Sequence, residues 1–172
     1  PYRRQRQMCI RDSTETVICG TPAGVGEPWF DSVESVISHA AFSLGGVKGI
    51  EFGAGFAVAD MKGSECNDPL RVSGGRIVTT TNNNGGINGG ITNGMPIVFR
   101  CAVKPTPSIA QQQDTVDFIK NENTQLSIHG RHDPAIIRRI CPVLDSVAAL
   151  CVADMLSLRY GTDVLTKGVD DK

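Results

Sequence analysis

The chain has almost no net charge, no cysteine pair of the CxxC kind and no long unbroken apolar run. Its 17 Lys and Arg against 18 Asp and Glu leave a formal charge of -1, so nothing suggests a nucleic-acid surface. That total hides an asymmetry: Arg3, Arg4, Arg6 and Arg11 crowd the first thirteen residues against Asp12 alone, so the rest is more acidic. The six cysteines are Cys9, Cys19, Cys66, Cys101, Cys141 and Cys151. None is spaced for a structural zinc site. Several sit in apolar runs, where cysteine acts as a small hydrophobe, and reduced, buried thiols of a cytosolic protein are the expectation. No apolar run approaches the ~20 residues that a membrane span needs, so no membrane partner is expected. No signal-peptide pattern is visible from Pro1 onward, and a leader lying further upstream would not be seen. A repeated strand-helix-strand rhythm is also missing, which excludes a doubly wound parallel sheet and leaves α+β.

What is present fits one domain: 172 residues, 40% of them hydrophobic, enough for a real core. The segment that stands out runs from Asn82 to Ser108. Asn82-Asn83-Asn84 leads into Gly85, Gly86, Gly89, Gly90 and Gly94, with Ile87 and Ile91 between them. Glycine loses more freedom on folding than any other residue, so such a run needs a reason. Bare backbone pressed close to a ligand is one, and a slack linker is the other. The flanks favour the ligand loop. Ile97 to Val103 follows at once and reads as a buried strand. It delivers Lys104, Thr106 and Ser108 on a backbone stiffened by Pro105 and Pro107. A cation and two hydroxyls on a rigid turn suit a phosphate or a polarised ring.

These residues carry a resemblance. GGINGGITNGMPIVFRCAVKPTPSI resembles the glycine-rich signature of chorismate synthases. Pro22-Ala23-Gly24-Val25-Gly26-Glu27-Pro28 with Phe30-Asp31 resembles the family's PAGxGEPxFD segment, and Gly130-Arg131-His132-Asp133-Pro134 its GRHDP motif. Val47 to Phe56 and the Gly63-Ser64 and Asn67-Asp68 segment fit as well. The likeness runs from about Ser13 to Tyr160, in order, and only to the family's C-terminal half. Several long ordered motifs are far more specific than one short pattern.

The chain divides into residues 1–13, 14–160 and 161–172. The first segment reads as a basic arm or as foreign sequence, and QRQMCIRDS, similar to translated adapter or assembly read-through, favours the second. Glu15 to Cys19 predicts a short strand. Pro28 suits the start of a helix, and Trp29, Phe30, Val33, Val36, Ile37, Ala40, Ala41 and Leu44 follow at helical spacing. Trp29 and Phe30 are expected in the core, and His39 as a packed or solvated residue near the helix's apolar edge. Gly45-Gly46 ends the helix. Val47 to Phe52 predicts a strand, and Gly53 to Met61 either a strand or a short helix. Asn67-Asp68-Pro69 signals a turn, and Arg76 to Thr81 is β-branched. Ile109 to Asp114 reads as a polar loop. Thr115 to Ile119 and Thr124 to Ile128 predict a hairpin. Pro134 to Ile140 predicts one helix and Pro142 to about Tyr160 another, apolar on most faces and so wanting layers on both flanks. The last segment is a polar tail.

The GRHDP segment holds further chemistry. Arg131 can fork onto a phosphate or carboxylate. Asp133 can move a proton over a reacting centre or cap a helix before Pro134, and the residues alone leave both open. His129, His132 and Asp133 match no established metal spacing, so no metal is expected.

The resemblance implies the rest. The family folds as a sandwich with helices between two antiparallel sheets. It removes phosphate from 5-enolpyruvylshikimate-3-phosphate by an anti-1,4-elimination, giving chorismate for aromatic amino-acid biosynthesis. It requires reduced FMN without net oxidation, is associated with NADP, and works as a cytoplasmic homotetramer. By position, Gly45, Gly46, Gly89, Lys104, Pro105, Thr106, Pro107, Ser108 and Arg131 fall where the family binds FMN. Asp133 matches the aspartate that handles the flavin's proton. The family's catalytic histidines and several substrate arginines lie in its N-terminal half, and no residue here supplies them. A truncated chorismate synthase, inactive by itself, is therefore expected. A non-catalytic flavin- or phosphate-binding module and a structural domain reusing the fold are the alternatives.

Overall fold

The computed structural model describes residues 13–128, 130 and 136–168. Its centre is a three-stranded antiparallel sheet in the order β1-β7-β2, formed by β1 (Ser13–Ile18), β7 (Ile97–Val103) and β2 (Val47–Phe52). The middle strand explains itself. Ile97, Phe99, Cys101 and Val103 alternate inward and are buried, while Val98, Arg100 and Ala102 face the other way, the period-2 pattern of a strand with one buried face. On the outer face Arg100 donates through Nη2 to the Gly53 carbonyl at 2.6 Å, and its Nε lies 3.4 Å from Glu51 and 3.7 Å from Glu15.

Two helices cover the inner face: α1 (Val33–Phe42) and the long helix Ile137–Tyr160, here α3. Val33, Ile37 and Ala41 of α1 interlock with Leu144, Ala148 and Cys151 of α3 in one core cluster with the inward residues of β7. The Thr16 hydroxyl donates to Asp145 at 3.1 Å, fastening β1 to α3. Short pieces complete the chain: α2 (Gly63–Cys66), α4 (Val164–Lys167), and the hairpins β3 (Leu70–Ser73) with β4 (Arg76–Thr79), β5 (Ile87–Asn88) with β6 (Ile91–Thr92), and β8 (Gln113–Asp117) with β9 (Glu122–Leu126). All pairings among the described residues are antiparallel, so the class is α+β as expected.

Several expectations need correction. Trp29 and Phe30 are not core: they are 81% and 85% exposed. The stretch Trp29–Asp31 is a separate 3-10 turn in which Trp29 takes φ +72°, and α1 begins only after Ser32, whose hydroxyl accepts from the Ser35 amide at 3.1 Å. A serine N-cap redirects the chain there, so helical spacing upstream of it is coincidental. Gly55–Asp60 resolves as a 3-10 helix. The hairpin after the polar loop starts two residues earlier than predicted. Pro142 does not start a helix but lies inside α3; with its ring tolerated, one helix replaces the expected two.

That long helix passes the length and hydropathy criteria of a membrane span, against the expectation that no run approached them. It is nevertheless part of the core: Ile140, Leu144, Ala148, Cys151, Val152 and Met155 are buried against the sheet and α1. Its opposite flank carries Val143, Leu150 and Leu158 exposed, so the described residues contribute only one of the two expected layers.

Candidate functional site

The expected site residues that the structure describes separate into two groups at opposite ends of the central sheet. The first forms where β7 leaves the sheet. The turn closing α1 is tied down by the Ser43 hydroxyl donating to Ala40 and by the Leu44 amide donating to Ala41. Gly46 takes φ +100° there, a value that L side chains avoid. Its carbonyl accepts from the Lys104 amide at 2.7 Å, so the Gly45-Gly46 turn and the Lys104–Ser108 segment share one corner. A Cβ on Gly46 would meet Ile136 at 3.2 Å and Val103 at 3.7 Å, whereas one on Gly45 would point into open space. Lys104 is exposed. Beyond it the Thr106 hydroxyl is buried with no hydrogen-bond partner among the described residues. A buried hydroxyl without a partner costs roughly 1–3 kcal/mol, so such atoms call for an occupant. The far side of the segment is held by Gln113 donating to the Pro107 carbonyl and Ser127 donating to that of Ala110.

Arg131 and Asp133 lie outside the described residues, as do His129 and His132. Ile136, three residues after Asp133 in the chain, packs beside Gly46. Among the described residues no group of three His, Cys, Asp or Glu is arranged to hold a metal.

Gly89 belongs to the second group. The glycine run is an ordered hairpin and not a slack linker. Gly90 accepts from the Val33 amide at the start of α1, and Thr92 exchanges hydrogen bonds with Gly24 and Val25. Gly46 sits just past the other end of α1, and β7 runs between the two groups; its seven residues extend about 20 Å. This chain therefore does not bring Gly89 to Lys104. Most of the glycines are explained by the protein's own backbone. A Cβ on Gly85 would sit 2.5 Å from the Gly53 nitrogen, one on Gly86 2.5 Å from the Pro96 carbonyl oxygen, and one on Gly90 2.7 Å from Ser32. Gly89 alone among these four has nothing within 4 Å, at φ +59°.

Sequence reasoning missed the residue that holds this run. From the sequence, Asp68 is part of a turn and of a family-like segment, with no role of its own. Its carboxylate accepts from the Thr81 hydroxyl at 2.7 Å, the Asn83 amide at 2.7 Å, and the Asn84 amide and side chain, both at 2.9 Å. Burial alone would raise its pKa, but the four hydrogen bonds together outweigh burial and hold it below the ordinary carboxylate value. Asn82 works from the other side, donating to Pro96 and accepting from the Gly86 amide. The signal available was three consecutive asparagines downstream of an Asn-Asp turn, residues that readily bond to neighbouring backbone.

Among the described residues, cavities also lie elsewhere, and the two best defined are not lined by an expected site residue. One, of about 440 Å3, is bounded by Glu27, Asp31, Asp154 and Arg159 beside the α1 and α3 helices. The other, of about 280 Å3, lies on the outer sheet face at Arg100, Glu51 and Phe56.

The chorismate synthase family model matches residues 5–157, beginning inside the segment read as foreign. The chorismate synthase of Methanosarcina barkeri is 50% identical over 158 residues, covering 92% of this chain and 43% of the relative. That of Chitinophaga pinensis is 53% identical over 153 residues, covering 89% and 46%. A solved chorismate synthase crystal structure superposes with a TM-score of 0.73 at 28% identity, over 93% of this chain and 41% of that one. The chain thus spans less than half the length of the relatives it matches. The ordered motifs, the antiparallel α+β architecture and these likenesses agree, and the chain belongs to the chorismate synthase family.

Proposed function

We propose that this chain is the C-terminal part of a chorismate synthase, contributing one wall of a site for reduced FMN. The whole protein would eliminate phosphate from 5-enolpyruvylshikimate-3-phosphate to give chorismate, with the remaining catalytic groups supplied by the family's N-terminal half. The observation that carries the reading is the corner at the end of β7. Thr106 buries a hydroxyl that has no partner among the described residues, two residues from an exposed ammonium group whose backbone is pinned to Gly46.

These residues fit a phosphorylated, planar group. Lys104 would neutralise a phosphate, as a strongly hydrated point charge does. The Thr106 hydroxyl would donate to a phosphate oxygen and lose its desolvation penalty. Pro105 and Pro107 would hold both donors with little entropy left to lose on binding, and Ser108 would add a third. Gly45 would leave room for a ring edge because no side chain fills that space. Arg131 would add a guanidinium fork and Asp133 a proton-handling carboxylate. Reduced flavin, when bound, supplies transient electron density to the substrate, and the protein's part is to bind and orient it. Gly89 would meet a ligand only at the opposite end of β7, so its share in the same site needs a second copy or the N-terminal half.

The test is FMN binding to this chain, alone and with the N-terminal half of a relative supplied in trans, followed by phosphate release from substrate. Saturable binding that weakens by tenfold or more in Lys104→Ala and in Thr106→Val supports the site. Binding in the recombined sample with no phosphate release identifies the non-catalytic flavin module instead.

A further inference from the structure

Asparagine is followed directly by glycine at Asn84-Gly85, Asn88-Gly89 and Asn93-Gly94, and the fold holds the three very differently. Asn84 is fastened on both sides. Its backbone and side-chain amides each donate to Asp68 at 2.9 Å, and the following Gly85 nitrogen donates to the Asn82 carbonyl at 3.1 Å. Asn93 is held through both atoms of its side-chain amide: Oδ1 accepts from the Met95 amide at 2.9 Å, and Nδ2 donates to Asn88 Oδ1 at 2.6 Å. Asn88 is exposed and opens the Gly89-Gly90 turn that joins β5 to β6. Its Oδ1 accepts that one bond, while its Nδ2 and the Gly89 backbone nitrogen donate none among the described residues. Even a Cβ on Gly89 would meet nothing within 4 Å, so the space around the turn is open.

These are conditions under which an asparagine side chain reacts with its own main chain. Cγ and the next backbone nitrogen are tethered, so the step is intramolecular and needs only the right approach. Glycine puts no Cβ in the way. The Asn93 donor on Oδ1 draws electron density from Cγ and stabilises the oxyanion that forms there. We propose that Asn88 is a site of spontaneous deamidation, selected by the fold over Asn84 and Asn93. The Gly89 nitrogen gives up its proton and bonds to Asn88 Cγ. The Cγ–Nδ2 bond then breaks, and the amide group takes up a proton and departs as ammonia. Water opens the resulting five-membered imide at either carbonyl, breaking one imide C–N bond and leaving aspartate or isoaspartate at position 88. No electrons are exchanged, and water is the only co-reactant. Either product places a carboxylate in the stretch 77–99, which otherwise holds no charged side chain. The isoaspartyl form also adds one carbon to the main chain beside a short turn, whose length sets the register of its strands. This reaction does not depend on the flavin reading.

The test is incubation of the full chain at mildly alkaline pH, with and without urea, followed by tryptic digestion. Cleavage after Arg76 and Arg100 leaves all three asparagines on one peptide. Mass spectrometry with electron-transfer fragmentation then locates each exchange of amide for acid and separates aspartate from isoaspartate. In the folded chain Asn88 is expected to react at least about tenfold faster than Asn84 and Asn93, because those two must first break their hydrogen bonds. In urea the three rates are expected within about threefold of one another, since each is then simply an asparagine before glycine. Asp68→Ala is expected to raise the Asn84 rate by about fivefold or more while leaving Asn88 unchanged. Circular dichroism checks the fold of that variant. Were it to unfold, the comparison of the unmodified chain with and without urea would decide. Equal rates at the three sites in the folded chain, a faster Asn84 or Asn93, the same ranking kept in urea, an Asn84 rate untouched by a folded Asp68→Ala, or an Asn88 that stays intact while the unfolded chain reacts would each overturn the proposal.

Discussion

Replacing Asp68 by Ala removes the acceptor that holds Thr81, Asn83 and Asn84 at the start of the glycine run. Four hydrogen bonds at 2.7–2.9 Å disappear together, two from backbone amides and two from side chains. Bonds to a charged acceptor contribute roughly 1.5–3 kcal/mol each, but those sharing one carboxylate do not add. The site is half-buried, so water recovers part of the loss. We expect a net destabilisation of about 3 kcal/mol, equivalent to a fall in Tm of about 6–12 °C for a chain of this size. Urea unfolding gives the free energy, and amide exchange locates it: protection at Asn83, Asn84 and Gly85 should fall more than protection in β7. The pH dependence has a definite sign. The folded pKa lies below the unfolded value of about 3.9, so the contribution is complete above that value and is lost as pH falls through the lower folded pKa. Asp68→Asn should consequently flatten the acid limb of the stability curve. A loss below about 0.5 kcal/mol, with exchange at Asn83 and Asn84 unchanged, would refute the idea that Asp68 organises this loop.

Other outcomes follow from the same coordinates. Gly85→Ala places a Cβ against the Gly53 nitrogen and the Val98 carbonyl and should cost more than about 3 kcal/mol, whereas Gly89→Ala meets only its unfavourable φ and should cost about 1 kcal/mol; thermal melts separate them. Thiol labelling should be fast at exposed Cys19 and slow at Cys101 and Cys151. Burial raises both of the latter thiols, and Asp154 adds to the rise at Cys151, so labelling of these two should accelerate only at pH values above the usual thiol range.

The parts of the fold legible from sequence were those decided locally. The runs Val47–Phe52 and Ile97–Val103 coincide with β2 and β7 because β-branched and apolar residues bounded by glycine and proline admit few other readings. Trp29 and Phe30 misled because aromatic residues at helical spacing look like core, while the Ser32 cap that ends the pattern acts through one hydroxyl. Pro142 misled because its local preference for a helix start was overridden by packing of Ile140 and Leu144 on either side. At the candidate site, Gly46 and Lys104 were legible as motif members, but their meeting is a matter of tertiary register. The Asp68 staple left only a weak trace, the run of asparagines after an Asn-Asp turn, because its partners lie 13–16 residues along the chain and meet only in the tertiary fold.

The most direct measurement is a titration of FMN, followed by flavin fluorescence, into this chain combined with the N-terminal half of the Methanosarcina barkeri relative, comparing the unmodified chain with Thr106→Val. The account predicts saturable quenching whose dissociation constant rises tenfold or more when the buried hydroxyl is removed, with thermal stability unchanged or improved. Equal affinity in the two proteins, or no saturable quenching in either, would contradict it.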